Sequence, residues 1–202
     1  MNTTEGRLLH TLRCIGASSV DRIADRVGVG PDEAEATLID LGARGWVAKD
    51  AGTFGGWRVT DAGKVADNEA VAAEVAETGC LAGIEAAYGR FEGLNAVALE
   101  ACTAFQMRTV NGVRQVNDHT DRAYDTRILR QLASVERRGQ EVCNDLESVL
   151  DRFADYGPRL SEAMNRALAG YWEYVSEHED SFHTVWFQLH EDLLVTLGRP
   201  RR

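Results

Sequence analysis

The chain of 202 residues is predicted to be mainly α-helical, in two parts. Two observations predict this. Apolar residues recur at three- and four-residue spacing over most of the chain, the period of a helix with one buried face. The exception is a short stretch near Trp46 to Thr60, where two brief β-prone runs flank a glycine-rich tip. The fold class expected is therefore a helical N-terminal module closed by a β-hairpin, followed by an all-α helical bundle.

The N-terminal elements follow in order. Leu8, Leu9, Leu12 and Ile15 lie at helical spacing, and Gly16 ends that helix. Ser18 or Ser19 is placed to cap the next helix, whose buried stripe is Val20, Ile23, Ala24 and Val27. Gly28-Val29-Gly30 is a tight turn, and Pro31 suits the first turn of a third helix with Ala34, Leu38 and Leu41 inward. Trp46 to Lys49 and Trp57 to Thr60 are predicted strands, with Gly52 to Gly56 as the hairpin tip. Helix, helix, turn, helix, hairpin is the order of a winged helix-turn-helix. The stretch SVDRIADRVGVGPDEAEATLIDLGARGWV resembles the helix-turn-helix of bacterial transcription regulators of the MarR and GntR kind. WRVTDAGK is similar to the strand leaving the wing, and to the T-x-x-G start of the next helix, in MarR-like proteins. The resemblance covers about a third of the chain and implies DNA binding, with the third helix in the major groove.

The charge distribution qualifies that implication. The net charge is -10, of which residues 1–66 carry -1 and the remainder -9. An acidic body repels nucleic acid, so DNA contact is expected only in the N-terminal module. The start of the third helix holds Asp32, Glu33 and Glu35, which suit the positive end of the helix dipole whether or not DNA binds. Thr37 and Asp40 are placed to reach base edges; Arg44, Lys49, Arg58 and Lys64, with Arg22 and Arg26 behind them, are the expected phosphate contacts. The alternative is a winged-helix protein-interaction module that regulates an enzyme without touching DNA.

Residues 67–93, rich in Ala and Glu, are expected to connect the module to the body as one or two helices, with Gly79 and Gly83 marking breaks or close crossings. Their small residues suit either a homodimer surface or packing within the chain. The body, residues 94–202, holds a stripe from Leu94 to Phe105 ending near Asn111-Gly112. Long helices are expected over about Arg122 to Arg152 and Leu160 to Val175, the latter with Tyr171 inward, and Asp180 or Ser181 should cap a last helix reaching Leu197.

On that last helix His183, Trp186, Phe187 and His190 share one face. A buried imidazole needs a partner. These residues are either satisfied core side chains, the wall of a small-molecule effector pocket, or ligands of a metal. Seven residues rise about 10.5 Å, too far for His183 and His190 to chelate one ion easily. Asp118 and His119, in the polar run Asn117 to Asp121, are further effector-pocket candidates, though that run also suits a loop and helix cap. Arg108, Arg114 and Arg159 are candidate charge partners for an anionic or aromatic ligand. The segment DSFHTVWFQLHEDLL is faintly similar to the late helix of the GntR-type FCD effector domain, but the Asp-x-x-x-His pair is missing, since Arg122 follows Asp118 by four. No metal or cofactor is assigned.

No P-loop, G-x-S-x-G, dinucleotide or H-E-x-x-H motif is present, so no enzymatic activity is expected. The four cysteines are widely spaced and suit a reducing cytosol, and no apolar run approaches a membrane span. The reading is a cytoplasmic, ligand-responsive, dimeric transcription regulator.

Overall fold

A computed structural model of the chain describes residues 3–50 and 56–200. It is mainly helical, with two small two-stranded sheets among the described residues. The chain divides into two compact units, Met1–Gly79 with Leu194–Arg202, and Cys80–Leu193.

In the first unit, α1 spans Thr4–Ile15, α2 Val20–Val27 and α3 Pro31–Ala43. Each begins or ends where local chemistry demands. The Thr3 and Ser19 hydroxyls accept the Gly6 and Arg22 amides, and Gly28, at φ 73°, closes α2 in the left-handed region. Leu8, Leu12, Ile23, Ala34, Leu38 and Leu41 interlock as the core of the three helices. β1 (Val47–Lys49) pairs antiparallel with β2 (Trp57–Val59), Val47 opposite Val59 and Lys49 opposite Trp57. Of the expected tip, Gly52 to Gly55 lie outside the described residues. Ser18 also bonds Trp57 through both backbone groups, at 2.8 and 3.0 Å, so the segment before α2 extends the sheet. α4 (Asp61–Thr78) follows from a Thr60 cap and ends at Gly79.

In the second unit, α5 spans Leu81–Gln106, α6 Arg122–Glu147, α7 Tyr156–Leu168, α8 Glu173–Ser176 and α9 Phe182–Thr196, whose final turn counts with the first unit. Gly79 breaks the connector as expected. Gly83 instead lies within α5, where an added Cβ would come 3.2 Å from Val149. The expected all-α body is corrected by a second hairpin. β3 (Met107–Val110) and β4 (Val113–Val116) pair antiparallel around Asn111 and Gly112, both at positive φ. Asn-Gly with positive φ at both positions is the two-residue turn whose twist matches antiparallel strands. The expected helix to Val175 ends at Leu168, and Gly170, at φ 99°, turns the chain into the short α8, leaving Tyr171 exposed rather than inward. Ser181 caps α9 as expected, its hydroxyl accepting the Thr184 amide at 3.2 Å.

Candidate functional site

The first candidate surface is α3 and the β1–β2 hairpin. The outward residues of α3 include Asp32, Glu33, Glu35, Ile39 and Asp40, an acidic face with one exposed isoleucine (56%). The Thr37 hydroxyl is turned back onto its own helix, donating to the Glu33 carbonyl at 2.9 Å. The four expected phosphate contacts are all exposed, and each has an acidic partner. Arg44 forms a two-pronged bond with Glu5, whose carboxyl it holds below the usual carboxylate range. Lys49 lies 3.5 Å from Glu35, Arg58 donates to Asp50 at 2.8 Å and Lys64 to Asp61 at 3.0 Å. The surface thus offers cations already matched by carboxylates within the unit.

The second candidate lies in the other unit, where the end of α5, the turn out of β4 and α8 border an open-sided cavity of about 580 Å³. Phe105, Met107, His119 and Trp172 supply its larger side chains; Glu173 and Glu177 its charge. The His119 ring sits between Phe105 and Trp172, 4.7 Å from each ring centroid. Its backbone is held at φ 56°, a left-handed conformation uncommon for a residue with a side chain. Behind it, the Asn117 amide nitrogen donates to the Phe105 carbonyl at 2.9 Å and to Asp125 Oδ1 at 2.7 Å. The His119 Nδ1 lies 3.1 Å from the same Asn117 nitrogen and 3.2 Å from Asp125 Oδ2, an oxygen that takes part in no hydrogen bond among the described residues. The unit therefore builds a partly aromatic recess with one imidazole set between two aromatic rings.

The expected residues are distributed differently from their sequence grouping. His119 lines the cavity, while Asp118 is exposed, accepts from the Thr120 backbone and side chain, and lies 3.3 Å from Arg108. On α9, Trp186 is a core residue. It stacks on Phe91 at 4.6 Å and on Phe182 at 5.6 Å, and its indole N–H donates to Asn95 at 3.0 Å. Gly139 makes this possible, since a Cβ there would stand 3.0 Å from the indole. Phe187, expected to be a buried wall, is 46% exposed. His190 lies 5.1 Å from the Phe91 ring, and burial pushes the His183 imidazole below its ordinary pKa. None of these four lines the His119 cavity. Of the candidate charge partners, Arg159 donates to Gln188 at 2.5 Å, and Arg108 and Arg114 line a separate recess of about 600 Å³ beside β3. An anion-binding lining is thus not what surrounds His119.

The resemblance to winged-helix regulators finds no counterpart in comparison, because no known family, curated protein or solved structure matches the chain. Among the described residues no helix is long and apolar enough to cross a membrane.

Proposed function

We propose that this protein is a ligand-responsive transcription regulator whose first unit is a winged helix-turn-helix that binds DNA. The observation that carries the reading is the arrangement of α2, turn, α3 and hairpin over one core, with Arg44, Lys49 and Arg58 exposed beside the face of α3. Their acidic partners do not oppose it strongly. Exposed ion pairs contribute little to stability, so releasing such a cation to a phosphate costs little. The His119 cavity is the effector site of this reading. Its aromatic walls and its glutamates at positions 173 and 177 suit an uncharged or cationic planar molecule rather than an anion.

The test is a fluorescence-anisotropy titration at low salt with the gene's own upstream DNA. Specific binding is expected, and Arg58→Ala should weaken it across sequences and reduce the salt slope by about one. Binding no stronger than to random DNA would overturn the reading. A second reading has its own observation, the exposed Ile39 among Asp32, Glu35 and Asp40 on α3. An acidic face with an apolar centre suits a basic protein partner, and it becomes the preferred reading if the titration fails.

A further inference from the structure

Within the first unit, His10 and Cys14 lie one turn apart on α1, both buried. The Cys14 Sγ is 3.6 Å from the His10 Nε2. The other ring nitrogen, Nδ1, faces the Asp67 carboxylate of α4, at 3.1 and 3.2 Å from its two oxygens. Arg13 also reaches Asp67, at 3.4 Å, and donates to Asn68 at 2.8 Å. An ionised carboxylate only accepts, so Nδ1 carries the hydrogen. The other nitrogen, Nε2, faces the sulfur.

We propose that His10 and Cys14 are ligands of a thiophilic divalent cation of the zinc class, oriented by Asp67. Three features of the geometry carry this. In a tetrahedral site with Zn–S of about 2.3 Å and Zn–N of about 2.05 Å, sulfur and nitrogen stand about 3.6 Å apart. That is the separation found here. Spacing of four on a helix places both donors on one face. A carboxylate bonded to the far nitrogen of a ligating imidazole is the usual support for such a ligand, fixing its tautomer and raising its basicity. Thiolate with imidazole selects zinc-class ions over magnesium or calcium.

The chemistry balances without a redox partner. The thiol proton between Sγ and Nε2 leaves to solvent and the cation takes its place, one proton released for each ion bound. Because His10 and Asp67 belong to different helices, the ion would reinforce the junction of α1 with α4. The proposal is independent of whether the unit binds DNA.

The reduced, metal-free full chain is titrated with cobalt(II) and then with zinc, following the sulfur-to-cobalt charge-transfer band and proton release. One ion per chain is expected, with the band present and one proton released. Cys14→Ser should abolish the band and Cys102→Ser should retain it. Asp67→Asn should weaken zinc about 10–100-fold. No band with the parent chain, or a band that survives Cys14→Ser, overturns the proposal. If the Cys14 variant does not fold, zinc-edge X-ray absorption of the parent decides. One sulfur at about 2.3 Å with nitrogen at about 2.05 Å supports the site. Oxygen and nitrogen alone, or failure to retain zinc, overturns it.

Discussion

Replacing Gly63 by alanine tests the docking of α4 on the first unit. The Trp46 carbonyl, in the loop after α3, accepts the Thr60 amide at 2.9 Å, and the Thr60 hydroxyl donates to the neighbouring Gly45 carbonyl at 2.6 Å. The same hydroxyl accepts the Gly63 amide at 3.1 Å and so caps α4. A Cβ on Gly63 would stand 2.0 Å from the Trp46 oxygen and 2.8 Å from Val59 Cγ1. No rotamer relieves a clash between Cβ and backbone, so α4 must move away from the strand. Overpacking of this kind costs about 3 kcal/mol at the upper end of its usual range. Alanine's better helix propensity returns about 1 kcal/mol. A net loss of at least about 2 kcal/mol corresponds to a fall in melting temperature of about 8–16 °C for a unit of this size. Gly42→Ala is the matched control. Its Cβ would meet Trp57 at 3.4 Å, an ordinary contact, while the helix gain is the same. Thermal melts followed by circular dichroism should show Gly63→Ala far below the parent and Gly42→Ala level with it or above. A Gly63→Ala melt equal to that of Gly42→Ala would refute the reasoning, and with it the account of why the T-x-x-G pattern carries a glycine.

Two further outcomes follow from burial. Trp186→Ala should lose about 3–5 kcal/mol in urea unfolding, whereas Phe187→Ala, at a half-exposed position, should lose far less; equal losses would contradict the placement of α9. Burial raises the Cys102 thiol from 9.0 to about 12, so between these values the unfolded chain loses the proton that the folded chain keeps; stability should be intact below pH 9 and decline as pH rises toward 12, and Cys102→Ala should make that decline shallower in melts across this range, Cys143 contributing the rest.

The N-terminal elements were legible because their signals are local. The apolar spacing of Leu8, Leu12, Ile23 and Leu38, the breaks at Gly16 and Gly28 and the Ser19 cap act within a turn or two of chain. The β3–β4 hairpin was legible too, and was misread. Asn111-Gly112 between Met107–Val110 and Val113–Val116 is a strong short-range hairpin signal, but a turn ending a helix satisfies the same dipeptide. The α9 stripe failed for another reason. Trp186 and Phe187 are adjacent, about 100° apart on the helix. Which of them is buried depends on Gly139 of α6, whose missing side chain admits the indole.

The sequence by itself determined the helical character, most helix starts and stops in the first unit, and the division of charge along the chain, since these depend on each residue and its near neighbours. Only the tertiary structure decided the sites. It joined His119 to Phe105 and Trp172, and it faced His10 toward an aspartate 57 positions away. It also matched each exposed cation of the hairpin face with a carboxylate. The physical reason is that helical periodicity tells which face of an element is apolar. It does not tell which other element covers that face, and a site's chemistry is made by side chains that meet only when those faces are paired.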